Sequence, residues 1–278
     1  MSAPSGKTVA AGSGQKTAST EDEALCRAIP TLQSPLAQAL RHVHLALLLS
    51  LFYLRFGALV RDPVSTMLSS LPVVASLQVA YAVICLPAAG SSAAVQPAKK
   101  LRPGEKRKLV ADAHAPNISS VCCQPFLITN QAASDYDQLN NFVRLQTVVV
   151  ALGLSMFATF GLQIFFVLFG APLLTHIPQT ALCSLHLSLL GLFPLFYTHG
   201  ISTNDWLEIL SARAPFDEAF GGLVGGCVGA WAGAVPIPLD WDREWQKWPI
   251  TILCGVYGGY VVGKFIGGTL AFGKKFGG

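Results

Sequence analysis

The chain has 278 residues, of which only 12% are charged, and its mean hydropathy is +0.49. A soluble domain carries about 25% charged residues, so this composition argues against an ordinary soluble protein and indicates one embedded in a membrane. The net charge of +4 is small, which argues against a nucleic-acid-binding surface. The seven cysteines contain no C-x-x-C pair, so no zinc or redox site is predicted.

The chain divides into a tail and a membrane domain. Residues 1–40 are rich in Ala, Ser, Thr, Gly and Lys and show little apolar periodicity at the start, which is typical of a disordered segment. Residues 41–278 contain six apolar segments separated by more polar stretches. We therefore predict a disordered cytosolic tail over 1–40 and a six-span membrane domain over 41–278.

Each apolar segment is close to the length that a membrane-spanning helix requires. A span needs about 20 apolar residues to cross about 30 Å of hydrocarbon. Lipid offers no partner for a free backbone N–H or C=O, so every segment must be helical. The predicted fold class is an all-α polytopic membrane protein. The six predicted spans are His44–Val60, Ser65–Leu86, Thr147–Gly170, Thr180–Tyr197, Phe220–Ile237 and Pro249–Leu270.

The distribution of lysine and arginine among the loops predicts the orientation. A long basic loop, at about 88–145, joins the second and third spans, and Lys274 and Lys275 follow the last span. Because cytosolic loops carry an excess of Lys and Arg, this loop and both termini are predicted to be cytosolic. Asn117 begins a glycosylation motif in the loop and should then stay unmodified. The six clustered cations are Lys99, Lys100, Arg102, Lys106, Arg107 and Lys108.

Two glycine ladders mark the last two predicted spans. Their glycines recur at every fourth position, and residues i and i+4 share one face of a helix. Such a face lets another backbone approach closely, which predicts a tight C-terminal hairpin; a partner helix or a lipid against one ladder is the alternative. Leucine at Gly229 or Gly259 should separate the packed helices, and alanine should be milder. The ladders are Gly221, Gly225, Gly229 and Gly233, followed by Gly255, Gly259, Gly263 and Gly267.

Two cations, Arg55 and Lys264, fall inside predicted spans. A cation within the membrane is a functional hypothesis by default. Both residues, however, lie in the half of their helix that is nearer an end, from which a long side chain can snorkel to the headgroups. We therefore favour snorkelling or a local partner over contact with a substrate.

The loop between the last two spans is unusually rich in tryptophan and charge. Its tryptophans suit the aromatic belt of a membrane surface, and the predicted topology places it on the non-cytosolic side. Asp240 and Asp242 form a D-x-D pair of the kind that holds a hard cation, but no histidine or third acid supports a metal site. No catalytic, cofactor-binding or metal-binding residue is therefore assigned. The candidate partner surface consists of Asp240, Trp241, Asp242, Arg243, Trp245 and Trp248.

This loop and its flanks resemble the signature of the PIG-F family. The resemblance is carried by THGISTNDWLEILSARAPFDEAFGG and GAWAGAVPIPLDWDREWQKWPIT, in which Gly-Ala-Trp, Pro-Ile-Pro-Leu-Asp-Trp-Asp-Arg and Trp-Pro-Ile-Thr follow in order. It covers roughly residues 198–268 well. The run RDPVSTMLSSLP after the first span is similar more loosely, and the long basic insertion is more similar to fungal than to animal members.

The resemblance implies a multi-span protein of the endoplasmic reticulum that acts in the synthesis of glycosylphosphatidylinositol (GPI) anchors. Family members partner large ethanolamine-phosphate transferases, which modify mannoses of the lipid precursor and carry the catalytic, metal-binding domain on the lumenal side. The resemblance thus implies a non-catalytic stabilising subunit, with a multi-span transferase and membrane lipids as its partners. The alternatives are a lipid-modifying enzyme with a metal on Asp240 and Asp242, and a lipid transporter or flippase built on the glycine hairpin.

Overall fold

The computed structural model describes residues 28–91, 130–172, 174–239 and 242–275. Within these ranges the chain consists of helices and their connections, without a β-strand. Six helical segments in these ranges are long and apolar enough to cross a membrane, so the predicted all-α polytopic fold is confirmed. The helices are α1 Pro35–Arg61, α2 Pro63–Cys85, α3 Asn130–Leu168, α4 Ile177–Leu187, α5 Phe193–His199, α6 Thr203–Leu210, α7 Glu218–Ala234 and α8 Ile250–Gly268.

Helices α1 and α2 form a hairpin that turns at a single residue, Asp62. The Asp62 carboxylate caps α2 by accepting a hydrogen bond from the backbone N–H of Ser65 at 3.2 Å. Pro63 takes the first helical position, where a missing backbone N–H costs nothing. An Asp-Pro step at this point ends one helix and starts the next, so the two spans pack as immediate neighbours.

Helix α1 begins earlier than hydropathy predicts. It starts at Pro35 behind the N-cap Ser34, whose side chain accepts a hydrogen bond from the backbone N–H of Ala37 at 3.2 Å. The end of the predicted tail 1–40 is therefore helical, and the span starts before His44. Ser-Pro is a local helix-start signal, which a measure of average hydropathy does not weigh.

Helix α3 extends well beyond its apolar part. It covers 39 residues from Asn130, so its first turns lie inside the stretch 88–145 that the sequence predicts as a loop. No Gly or Pro occurs between Asn130 and Leu152, so nothing in this stretch stops the helix. The cation cluster of that loop and Asn117 lie outside the described residues.

The far end of α3 closes with a glycine turn. Gly170 has a φ of +98°, and the backbone N–H of Ala171 donates to the carbonyl of Phe166 at 2.9 Å. The N–H of Gly170 donates to the carbonyl of Val167 at 3.0 Å. This pair of bonds is the Schellman arrangement, which satisfies the last carbonyls of the helix and fixes the position of its final turn.

Helices α4 and α5 are joined by a π-helical turn, Ser188–Leu192, into one span that is the most buried of the six. Pro194 follows this turn and has no backbone N–H with which to bond the carbonyl of Leu190. The side-chain amide of Gln78 in α2 approaches that carbonyl, with its Nε2 3.5 Å from the oxygen. The carbonyl that the proline leaves without a helical donor is thus partly satisfied by a side chain of a neighbouring helix.

The apolar core runs along the inside of the bundle. Leu48 of α1, Leu190 of the π-helical turn and Val256 of α8 are fully buried in one cluster. A second cluster joins Tyr81 of α2 to Phe193 of α5. The central span therefore packs against helices from both ends of the sequence, and it connects the N-terminal hairpin with the C-terminal one.

Candidate functional site

The glycine ladders of α7 and α8 meet along a contact between backbones. A Cβ atom placed on Gly229 would lie 2.9 Å from the Cα of Gly259, and one placed on Gly259 would lie 2.8 Å from the Cα of Gly229. Gly225 and Gly263 stand in the same relation, at 2.6 Å in either direction. Cβ atoms essentially never approach other atoms this closely, so even alanine requires the backbone to move.

All eight ladder glycines belong to this contact, including those at its two ends. Gly233 lies against Ile252, with 2.8 Å from an added Cβ to the Ile252 Cα, and Gly267 lies against the carbonyl of Asp217. Gly258 differs: it is exposed, and nothing lies within 4 Å of an added Cβ. The remaining ladder positions are Gly221, Gly225, Gly229, Gly255, Gly259 and Gly263.

A carboxylate links three helices at the end of the bundle where α7 begins. Glu218 is 4% exposed, forms an ion pair with Arg41 of α1, and accepts a hydrogen bond from the hydroxyl of Tyr81 in α2 at 2.6 Å. Arg41 also donates to the carbonyl of Gly268, at the end of α8, at 3.1 Å. Helices α1, α2, α7 and α8 are therefore held together by one set of polar contacts.

Lys264 lies next to this carboxylate and is only 2% exposed. Its Nζ sits 3.1 Å above the centre of the Tyr81 ring and 3.3 Å from the Nδ1 of His44. The His44 ring stacks on Tyr81 with 4.7 Å between the ring centres. The ammonium is thus stabilised by an aromatic face and a ring nitrogen inside the bundle, and it does not snorkel.

Arg55 has a local partner of another kind. Its Nη1 donates to the hydroxyl of Ser69 in α2 at 3.0 Å, across the N-terminal hairpin. Snorkelling, a local partner and contact with a substrate were the three possibilities for these cations. The structure shows a local partner for both Arg55 and Lys264.

The buried polar groups also include an amide and a histidine that the sequence did not single out. Gln78 donates to the hydroxyl of Tyr260 at 3.2 Å. Within the described part of the chain, Gln78 Oε1 and His44 Nε2 are buried without a hydrogen-bond partner. We call Arg41, His44, Gln78, Tyr81, Glu218, Tyr260 and Lys264 the buried polar cluster. Only Lys264 gave a signal in the sequence, because a lysine within a span requires partners.

Asp217, just before α7, fastens the start of the described chain to the bundle. Its side chain caps α7 by accepting the N–H of Phe220 at 2.8 Å, and it also accepts the N–H of Ile29 at 3.1 Å. Burial raises the pKa of the Asp217 carboxyl, although these backbone N–H groups act in the opposite direction. The N-terminal segment is therefore held against the end of α7.

The tryptophan-rich loop is folded as two short 3₁₀ turns, Ile237–Leu239 and Glu244–Gln246. The Gln246 side chain donates to the carbonyl of Pro236 at 2.7 Å, which draws the two ends of the loop together. Trp248 donates its Nε1–H to the hydroxyl of Thr180 in α4 at 3.0 Å. The loop is thus anchored to a second span.

The six candidate loop residues are placed differently from one another. Asp240 and Trp241 lie outside the described residues, so the D-x-D pair has no described geometry. Asp242 and Arg243 are exposed, whereas Trp245 and Trp248 are half-buried. In the described ranges no group of three His, Cys, Asp or Glu side chains could hold a metal ion. What the described part of the loop presents is a charged rim over an aromatic base.

The sequence of the chain matches one known protein family over most of its length. The GPI biosynthesis protein family Pig-F matches residues 43–268, which is most of the chain. This chain belongs to the PIG-F family. The matched range includes the glycine hairpin, the tryptophan-rich loop and all of the buried polar cluster except Arg41.

Fungal and animal relatives of this PIG-F protein differ in how much of the chain they match. A Neurospora crassa protein named glycosylphosphatidylinositol anchor biosynthesis protein 11 is 49% identical over 258 residues, covering 93% of this chain and 84% of its own. Its Aspergillus fumigatus namesake is 40% identical over 239 residues, covering 84% and 80%. The human GPI ethanolamine phosphate transferase, stabilizing subunit, is 36% identical over 115 residues, covering 40% and 52%. No solved structure matches the chain.

The PIG-F family protein thus combines a close-packed glycine hairpin with charged groups that have partners inside the bundle. Lys264 and Glu218 are buried within the helix bundle and contact neighbouring helices. Such contacts fix helices relative to each other. The arrangement is suited to maintaining a shape in the membrane.

Proposed function

We propose that this chain is the non-catalytic stabilising subunit of a transferase that adds ethanolamine phosphate to mannose residues of the GPI precursor in the endoplasmic reticulum. The observation that carries the proposal is the kinship with the human protein whose name gives it that role. The contacts of the buried charged groups support it, because Glu218 pairs with Arg41 and Tyr81, and Lys264 lies on the ring of Tyr81, so these groups serve helix packing. The partner is a large, multi-span catalytic subunit.

The proposed orientation places both termini in the cytosol and the tryptophan-rich loop in the lumen. The support is the basic character of the predicted loop 88–145 and of Lys274 and Lys275. In that orientation the loop lies on the same side as the chemistry of the proposed partner. Its exposed charges, Asp242 and Arg243, are available for contact with a lumenal domain of the transferase.

The test separates a stabilising subunit from an enzyme. The chain is purified alone and together with its transferase, and each preparation is assayed for transfer of ethanolamine phosphate to a GPI mannolipid. We expect transfer only from preparations that contain the transferase, and a fall in transferase abundance in cells that lack this chain. Transfer by the chain alone, or normal transferase levels and activity without it, would refute the proposal.

A further inference from the structure

A cavity of about 440 Å³ opens at the end of the bundle where α3 and α7 end and α8 begins. One wall is the last turn of α3, with Phe166 and Phe169, and the opposite wall is α7, with Trp231. Ile237 and Trp248 of the tryptophan-rich loop border it as well. This size lies within the range of small-molecule sites in proteins.

The chemistry of the cavity lining restricts what can occupy it. The residues that line it are mostly aliphatic or aromatic, and of the two indole N–H groups among them, that of Trp248 already donates to Thr180. A polar ligand would lose its hydrogen bonds to water and find few replacements there. Water does not fill an apolar cavity for the same reason. The lining therefore favours a hydrocarbon occupant.

The walls of the cavity are fixed before any ligand enters. The Schellman turn at Gly170 fixes the last turn of α3, and with it the position of Phe166. Trp248 is held by its hydrogen bond to Thr180 in α4. Small residues, among them Ala234, leave the space open between these walls. A preformed site loses little entropy when it binds, which favours occupancy.

We propose that this cavity binds one acyl chain of a membrane glycerophospholipid. The walls belong to membrane-spanning helices, so the surrounding solvent is lipid and acyl chains are the hydrocarbon at hand. The charged loop residues at this end, including the exposed Arg243, mark the level of the headgroups, so a chain can enter while its phosphate stays at the surface. The bound chain fills the gap between α3 and α7.

The same lining indicates a bulk phospholipid rather than the glycolipid precursor. Recognition of a glycan requires several polar side chains at the site, and the lining residues are mostly aliphatic or aromatic. The cavity therefore selects for a hydrocarbon chain and is indifferent to the headgroup. This inference does not depend on the proposed function, since it concerns only the membrane domain of this chain.

The test uses phosphatidylcholine carrying a photoreactive diazirine near the end of one acyl chain. The full chain, in its complex with the transferase where the two co-purify, is placed in nanodiscs containing this lipid, illuminated and mapped by peptide mass spectrometry. We expect labelling concentrated at the end of α3 and the end of α7. Ala234→Leu fills the cavity and should lower labelling there by about tenfold.

A matched control is Ala58→Leu, which makes the same change on an exposed, lipid-facing position of α1 and should leave the labelling unchanged. If Ala234→Leu does not accumulate, Ile237→Trp narrows the cavity from the loop, at a residue that is 40% exposed. Labelling spread over all exposed helix faces and insensitive to Ala234→Leu would overturn the proposal. So would cross-links from the cavity residues to the transferase in place of lipid, or labelling only by a GPI lipid probe.

Discussion

Tyr81 and Glu218 come from different hairpins, and the Tyr81 hydroxyl donates to the Glu218 carboxylate at 2.6 Å in the buried interior. Because Glu218 also pairs with Arg41, one carboxylate connects the N-terminal hairpin with the C-terminal one. Breaking a buried ion pair by removing one partner typically costs about 3–5 kcal/mol, since the other charge is left uncompensated. This contact is therefore a point at which the fold can be tested.

We expect Glu218→Gln to destabilise the chain by several kcal/mol, on the order of the cost of a broken buried pair. The measurement is the thermal unfolding temperature of the purified chain in detergent, together with its abundance in cells. Glu208→Gln is the matched control, because Glu208 pairs with Lys275 at 3.4 Å near the surface and such pairs contribute about 0–1 kcal/mol. Equal stability of the two variants would show that the buried cluster does not hold the hairpins together.

Replacing Gly229 or Gly259 with leucine should force α7 and α8 apart. The added side chain would occupy the space of the facing backbone, and overpacking of this kind costs about 1–3 kcal/mol or more. Gly258→Leu is the control, since Gly258 lies beside Gly259 on α8 but has open space around it. The abundance of this chain and its co-purification with the transferase are measured for each variant.

Alanine at the same positions distinguishes the structure from the sequence expectation. The sequence predicts that alanine is milder than leucine, but the facing Cα atoms leave no room for any Cβ, so alanine too should disturb the contact. We therefore expect Gly229→Ala to lower the abundance of the chain clearly, and Gly258→Ala to leave it unchanged. Wild-type abundance for Gly229→Ala would contradict the backbone contact between α7 and α8 at this position.

The predicted topology is tested at Asn117, in the basic loop that the sequence places in the cytosol. Glycosylation of an N-x-S motif takes place in the lumen, so Asn117 should carry no glycan. The measurement is the mobility of the chain before and after glycosidase treatment, with Asn117→Gln as the control. A mobility shift that disappears in Asn117→Gln would reverse the orientation and put the tryptophan-rich loop in the cytosol.

The D-x-D pair is tested by changing Asp240 and Asp242 together to asparagine. No third metal ligand is apparent in the sequence near the pair, so we expect the purified transferase complex to retain its bound metal and its turnover. The same double variant also tests whether these aspartates contact the transferase, because loss of that contact would lower the yield of purified complex. Loss of both metal and turnover in a stoichiometric complex would show that this chain contributes to catalysis.

Two helices begin before the apolar segments that predict them. Hydropathy located the six spans, but α1 begins at Pro35 and α3 at Asn130, ahead of the apolar segments. The start of α1 is set by the Ser34 cap, and α3 continues outward because no Gly or Pro interrupts it. Both signals are local and readable, but a measure of average hydropathy does not register them.

The sequence by itself determined the class of the protein, its spans, its glycine spacing and its family resemblance, because each of these depends on residues that are near one another in the chain. Only the tertiary structure decided that Arg41 pairs with Glu218 and that Lys264 lies on the ring of Tyr81. These partners are far apart in sequence, and no local periodicity encodes which helix faces meet. That choice depends on how closely backbones can approach, which in this bundle follows from the glycines of α7 and α8.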